Sequence, residues 1–301
     1  MAILKKLKSK LNNRKFFIAT LALVLVVSIV TGLVYILEVP PVMAQSSVNS
    51  LPELAAPQRN QKILIFSPHP DDETIAVGGY IAQAIQAGAD VRIAMVTDGD
   101  FHHNGQERYT EFKKATAMLG VADDHITFLG FPDAKLDKTQ ETILADALKA
   151  QIAQDNPDIV ICPYPGDDNP DHAVIGKAVE GLLKADPHKR TVYEYLVHYE
   201  LLWPRPREYA PNYHLLPPKK LMTPETKWET FPLSQTNENL KSTALHVYKS
   251  QLANTWLNGL LLSSIRKNEL LIIPQNITAN HKSPKVTKYE INAVFQIPNS
   301  K

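Results

Sequence analysis

Five short runs rich in β-branched and apolar residues, each except the last followed by a helix-like stretch, constrain this chain more than any other feature. They are Ile63–Phe66, Val91–Thr97, Ile126–Leu129, Ile159–Cys162 and Val192–Val197. Between them lie Glu73–Gly88, Arg108–Leu119, Thr139–Gln154 and His172–Lys184, with helical spacing of apolar residues. Gly88 and Gly120 stand where the first two helices should stop. Buried strands alternating with helices predict βαβ units and a parallel sheet covered on both faces. The expected fold is α/β, Rossmann-like, with a mostly parallel sheet. No internal repeat competes with that reading.

Ahead of this domain, Phe16 to Leu37 contains no charged residue. About 20 apolar residues suffice to cross the hydrocarbon core of a bilayer. Lys5, Lys6, Lys8, Lys10, Arg14 and Lys15 precede the stretch. A basic flank places the N-terminus in the cytoplasm and exports the chain beyond the span. Two versions stay open. One is an uncleaved signal anchor, favoured because the apolar stretch is long for a signal-peptide core of about 7–15 residues. The other is cleavage after Ala44, where Val42-Met43-Ala44 has the small-residue pattern. The expected layout is a basic cytoplasmic tail (1–15), a transmembrane anchor (16–38), a linker (39–61) rich in Pro, Ser, Gln and Asn, and the α/β domain (62–301). The chain would sit in the cell membrane as a single-pass protein with an extracytoplasmic domain.

Composition narrows the partners. A net charge of +1 implies no strongly charged partner and no nucleic acid. Cys162 is the only cysteine, so neither an intrachain disulfide nor a cysteine zinc cluster can form. Any metal must be held by His and carboxylate groups. Prolines crowd Trp203–Pro232, and Leu202-Trp203-Pro204-Arg205-Pro206 can be neither regular helix nor central strand. A long loop over the domain is expected there, either lining a site or wrapping the core. Asn239–Gln251 and Trp256–Arg266 read as helices, and the tail from Glu269 to Lys301 mixes β-like and polar residues without a clear element.

Two stretches carry the chemistry. Ser67-Pro68-His69-Pro70-Asp71-Asp72-Glu73 follows the first strand and opens the first helix. Ligands of parallel α/β sheets bind at the carboxyl ends of strands. Adjacent carboxylates repel unless a cation or a helix N-terminus offsets them. A plain helix cap would account for one or two of these acids, but not for the His or the prolines. Asp167-Asp168-Asn169-Pro170-Asp171-His172 follows the fourth strand and reaches the same edge. Two His and a carboxylate with an open position make a catalytic zinc set. The two His argue for zinc or iron over an all-oxygen magnesium or calcium site.

These two stretches resemble the PIG-L/LmbE-like family, which includes N-acetylglucosaminyl-phosphatidylinositol deacetylase and the deacetylases of mycothiol and bacillithiol synthesis. Thr97-Asp98-Gly99, Arg108 with Glu111, Leu129-Gly130-Phe131-Pro132-Asp133, and Lys241, Ala244-Leu245, Tyr248 and Ser250-Gln251 extend the likeness over about Lys62 to Gln251. The resemblance implies a hydrolase that removes an N-acetyl group from an N-acetylglucosamine-type sugar and releases acetate. It implies that His69, Asp72 and His172 bind zinc, with iron(II) able to suit the same ligands. Asp71 would be general base to a metal-activated water, Asp171 would orient His172 or another group, and Arg108 and Asp133 would bind sugar hydroxyls.

One position departs from the family pattern. His-Pro-Asp-His is common there, and here its first position is Asn169. Asn can donate a hydrogen bond to an oxyanion but cannot act as a general acid. His198, at the end of the fifth strand run, is the candidate substitute. Plainer readings remain beside the sharp ones. Arg108 could pair with Glu111 at i,i+3 on an exposed helix face. His102-His103 reads as an exposed loop pair, and Trp203 as a sugar platform or a buried anchor. The sequon Asn276-Ile277-Thr278 has meaning only in a eukaryotic secretory pathway. A weak or inactive saccharide-binding module, or a deacylase acting on another amide, are the alternatives.

Overall fold

The computed structural model describes residues 2–38, 46–200, 203–275 and 277. The cleavage motif at 42–45, Leu202, two of the three sequon residues and the tail beyond 277 lie outside the described residues. The chain divides into two units, Met1–Pro41 and Val42–Lys301.

The first unit is one helix, α1 (Ala2–Glu38). Its segment Arg14–Val34 is long and apolar enough to cross a membrane. Two hydroxyls of that segment are satisfied within the helix. Thr20 Oγ1 donates to the Phe16 carbonyl at 2.9 Å and Thr31 Oγ1 to the Val27 carbonyl at 2.8 Å. A helix, with its backbone groups paired internally, is a form that a bilayer tolerates.

The second unit holds a seven-stranded sheet in the order β3-β2-β1-β4-β5-β7-β6. The strands are β1 (Lys62–Ser67), β2 (Asp90–Thr97), β3 (Ile126–Phe131), β4 (Ile159–Pro163), β5 (Thr191–Tyr195), β6 (Lys227–Pro232) and β7 (Asn268–Ile273). The first five pair in parallel, while β7 runs antiparallel to both β5 and β6. Helices α2 (Asp72–Ala87), α3 (Gly105–Met118), α4 (Glu141–Asp155) and α5 (Pro170–Lys184) make the crossovers. Helices α6 (Gln235–Leu245), α7 (Lys249–Leu252) and α8 (Thr255–Ser263) come after β6.

The apolar runs are unbroken because both faces of the sheet are covered. Ile63, Ile65, Ile93 and Met95 pack with Tyr80 and Ile81 of α2, Phe112 of α3, and Leu245 and Leu260 of α6 and α8. Their neighbours Leu64, Phe66, Ala94 and Val96 pack on the other face with Leu144 and Leu148 of α4 and Ile175 and Val179 of α5. Burying a large apolar side chain of this kind stabilises by about 1.5–3 kcal/mol.

Several expectations change at the edges. The fifth strand ends at Tyr195, and the expected helix 239–251 is split at His246–Tyr248 into α6 and α7. Part of the unassigned tail is β7, a fully buried strand. The expected linker 39–61 is folded onto the domain over its described part. Val48 and Leu54 are buried, Leu54 N donates to Thr230 O at 2.8 Å, and Thr230 N donates to Pro52 O at 2.9 Å. Residues 52–54 thereby pair with β6, which would otherwise present an open sheet edge. The proline-rich segment wraps the domain. The Trp203 indole is buried and donates to Leu216 O at 3.1 Å, and the fully buried Arg266 donates to Ala210 O at 2.9 Å.

Candidate metal centre at the carboxyl edge of the sheet

Strand order reverses between β1 and β4, and the turns leaving these two strands meet there. Such a switch point is where open α/β sheets bind ligands. The β1–α2 turn brings His69, Asp71 and Asp72, and the first turn of α5 brings His172. Gly176 lets α5 come close. A Cβ there would lie 2.5 Å from the Pro163 carbonyl and 2.9 Å from Pro165 N.

Three buried ligand atoms converge. Asp72 Oδ2 lies 3.1 Å from His69 Nδ1 and 3.0 Å from His172 Nε2, and these two nitrogens are 3.3 Å apart. Nitrogen and oxygen ligands about 2.0–2.1 Å from a tetrahedral ion lie about 3.3–3.4 Å from one another. The cluster His69, Asp72 and His172 could therefore hold a metal ion. The far side of each ring faces carboxylates. His69 Nε2 lies 3.2 Å from Asp133 Oδ1 and 3.2 Å from Asp171 Oδ2. His172 Nδ1 lies 3.3 Å from Asp167 Oδ2. The ring nitrogens facing Asp72 are thus left to act as ligands, a pattern typical of metal-binding histidines.

Electrostatics match this crowding. Burial opposes charge on both rings, but the surrounding carboxylates outweigh it. His69 is held well above the ordinary imidazole value and His172 rises to about 9. Burial also opposes the charge of Asp72, and the two histidines more than offset it, leaving its carboxyl well below the usual range.

Asp71 stands apart. It is buried at φ 140°, ψ −28°, a backbone region that costs an L residue about 1–3 kcal/mol. Its turn is held by Thr74 N and Ile75 N donating to Asp71 O at 3.0 and 2.8 Å, and by Asp71 N donating to Glu73 Oε2 at 3.4 Å. Burial pushes the Asp71 carboxyl up to about 8. Asp72 and Glu73 add to the rise, while Arg108 and His69 oppose it. The Arg108 guanidinium lies 3.6 Å from Asp71 Oδ2 and 3.3 Å from Asp133 Oδ2. It also donates to the carbonyls of Gly99 and Pro70. Arg108 is buried, and Glu111 instead accepts from Ser250 N and Oγ at 2.9 and 2.6 Å, which overturns the exposed Arg108–Glu111 pair.

The remaining expected residues take other places. Asp171 faces His69, not His172, and accepts from Ala134 N and Leu136 N at 2.8 and 3.1 Å. Asn169 caps α5 by accepting from Asp171 N at 2.9 Å. His198 lies just beyond β5, half-buried, with its ring centroid 4.7 Å from that of His172. His103 is exposed in its loop. Three residues had no assigned role from sequence. Asp167 is the carboxylate behind His172. Glu73 is buried beneath the motif and accepts from Tyr248 Oη at 2.6 Å, Thr74 Oγ1 at 2.6 Å and Ser67 Oγ at 3.0 Å. Tyr248 was visible only as part of the family likeness, because its partner is 175 residues away. The one local signal for Asp167 is its place at the start of the second acidic stretch.

Fold and geometry define a class: an α/β domain with a buried two-histidine, one-carboxylate cluster at its switch point. Residues 64–183 match the family model described as PIG-L: GlcNAc-PI de-N-acetylase. A probable N-acetyl-alpha-D-glucosaminyl L-malate deacetylase 2 of Bacillus cereus is 34% identical over 130 residues, covering 39% of this chain and 58% of that protein. The diacetylchitobiose deacetylase of Thermococcus kodakarensis is 32% identical over 128 residues, covering 38% of this chain and 46% of that protein. The chain thus spans about half the length of these curated relatives. The solved N,N'-diacetylchitobiose deacetylase of Pyrococcus horikoshii shares the fold, with a TM-score of 0.53 at 19% identity over 75% of this chain and 88% of that one.

Proposed function

We propose that this chain is a metal-dependent hydrolase that removes the N-acetyl group from an N-acetylglucosamine-type amino sugar. The observation that carries the reading is Asp72 Oδ2 set between His69 Nδ1 and His172 Nε2, with the buried Asp71 on a strained turn beside it. The family match and the named relatives support the same chemistry.

His69, Asp72 and His172 would hold zinc, or iron(II), which when bound would supply Lewis acidity toward water and the amide carbonyl. Asp71 takes the proton of the attacking water. An acidity brought near neutrality suits a group that must accept a proton and give it back. The proton goes to the departing nitrogen as the carbon–nitrogen bond breaks, so the products are acetate and a free amine. Arg108 fixes the Asp71 carboxylate, and with Asp133 it meets sugar hydroxyls. Asn169 is engaged as a helix cap, so His198 is the second proton donor. Asp171 fixes the His69 ring. The segment 16–38 anchors the protein in the membrane, the basic residues of 1–15 stay in the cytoplasm, and the domain works outside.

The test is acetate release from mono- and oligo-N-acetylglucosamine by the zinc-loaded full-length chain in detergent. Release that requires both zinc and Asp71 is expected. A fully metal-loaded protein that releases nothing would shift the reading to a saccharide-binding module, or to a different amide.

A further inference from the structure

We infer that Asp167 is a positioning residue of this site: it selects the metal-facing nitrogen of His172 and pins His198 beside it. The inference rests on the deacetylase reading only for the part His198 plays in turnover.

Asp167 is wholly buried and lies in the turn after β4. Its Oδ2 accepts from Val197 N at 2.9 Å and His198 N at 3.0 Å, and lies 3.3 Å from His172 Nδ1. Its Oδ1 accepts from Asn169 N at 2.9 Å and lies 3.4 Å from His198 Nδ1. One carboxylate thus faces two imidazoles whose rings stand nearly perpendicular, at 84°. Where a metal ion is held, an imidazole nitrogen beside a carboxylate that is not itself a ligand keeps its proton, and the opposite nitrogen gives its proton up and offers its lone pair. For His172 that opposite nitrogen is Nε2, the atom 3.0 Å from Asp72 Oδ2. His69 is oriented in the mirror sense, with Nε2 toward carboxylates and Nδ1 toward Asp72.

The carboxylate behind His69 and the one behind His172 differ in reach. Asp171 belongs to α5 and ties His69 to the β3–α4 loop through Ala134 N and Leu136 N. Asp167 ties the end of β4 to the chain leaving β5. His198 lies beyond the segment 64–183 matched by the family model. A single side chain therefore couples a metal ligand inside that segment to a candidate proton donor outside it. Loss of the carboxylate should disturb both.

The experiment uses the full-length chain in detergent with Asp167→Asn, His198→Ala and the double variant. Zinc affinity is read by chelator competition, and kcat and KM at saturating zinc. Asp167→Asn should weaken zinc by about 10–100-fold, the usual effect of losing a partner behind a ligand. His198→Ala should leave zinc affinity unchanged and lower kcat at constant KM. The double variant should lose no more kcat than Asp167→Asn alone, because His198 is already displaced. Unchanged zinc affinity in Asp167→Asn overturns the inference, and so do additive kcat losses. Asn at 167 turns a donor toward backbone amides, so the variant could misfold. Imidazole nitrogen NMR of the zinc-loaded unmutated protein covers that case. His172 should be protonated on Nδ1 and metal-bound through Nε2, and the reverse assignment overturns the inference. Zinc affinity and imidazole shifts need no sugar, so a protein that binds zinc but releases no acetate would fail the functional reading while this test stands.

Discussion

Helix α2 touches two buried clusters of charge, and they are built on opposite principles. Halfway along, its backbone departs from helical geometry at Val77, where φ is −137°. Gly79 N and Tyr80 N, freed by the kink, donate to the two oxygens of Glu269 at 2.7 and 2.8 Å. Lys241 Nζ donates to the same carboxylate at 2.8 Å, and both side chains are fully buried. That cluster is closed: one anion, one cation, and the kink's amides satisfied. At the start of α2 the charges do not balance. Asp71, Asp72, Asp133, Asp167 and Asp171 are buried around His69 and His172, and the permanent cation among them is Arg108. A buried polar cluster that is balanced holds a fold, whereas one with convergent, surplus negative groups can take a cation.

The largest expected effect separates the two by activity. Asp71→Asn should lower turnover by about 10²–10⁴-fold with little change in thermal stability, because Asn is among the residues that accept unusual backbone angles. A large loss of stability instead would mean that Asp71 belongs to the closed kind of cluster. The converse substitution, Lys241→Ala, strands Glu269 in the core and should cost about 3–5 kcal/mol in chemical unfolding. The protein that remains folded should keep its zinc affinity. A change in affinity would show that the kink and the metal centre are one unit. Metal removal tests the open cluster directly. Stripping zinc with a chelator from a protein held at about 100 times its Kd should lower stability by about 2.7 kcal/mol, and a midpoint that does not move would count against a site specific to the folded state.

A different kind of effect, spread over pH, concerns another buried acid, Glu194 of β5. Burial pushes its carboxyl up to about 8, repulsion from Glu180 adds to this, and Lys184 offsets part of it. The native state keeps this proton where the unfolded chain, near the ordinary value of 4.5, has lost it. Stability should therefore fall as pH rises from about 4.5 to about 8 and level off above, and Glu194→Gln should flatten that slope in urea midpoints measured across the range. An identical slope in the variant would show that Glu194 is charged in the native state.

Much of the architecture was legible in advance. The five parallel strands and four crossover helices arise from local pattern, with boundaries shifted by a few residues. Leu64 and Ile65, adjacent in sequence, pack in opposite cores, and that is what an unbroken apolar run means in a sheet covered on both sides. The antiparallel pair was not legible. The run Asn268–Ile273 sits in the core between β5 and β6, and no local signal tells a strand which neighbours it will find. The segment 46–61 reads as a linker by composition, yet it pairs with β6 through two backbone hydrogen bonds of Thr230.

At the candidate site, the sequence by itself determined which residue types gather, because a turn after β1 and a turn after β4 must open on the same edge of a parallel sheet. It also determined an apolar segment able to cross a membrane, since length and absence of charge are local properties. Only the tertiary structure decided which carboxylate serves which ring. Asp171, next to His172 in the chain, turns to His69 of the earlier motif, and Asp167 takes His172 instead. The reason is geometric. Consecutive residues in the first turn of a helix point about 100° apart, so neighbours in sequence face different partners. Which partner each meets depends on the register of β1 against β4 and on the path of the loops between them.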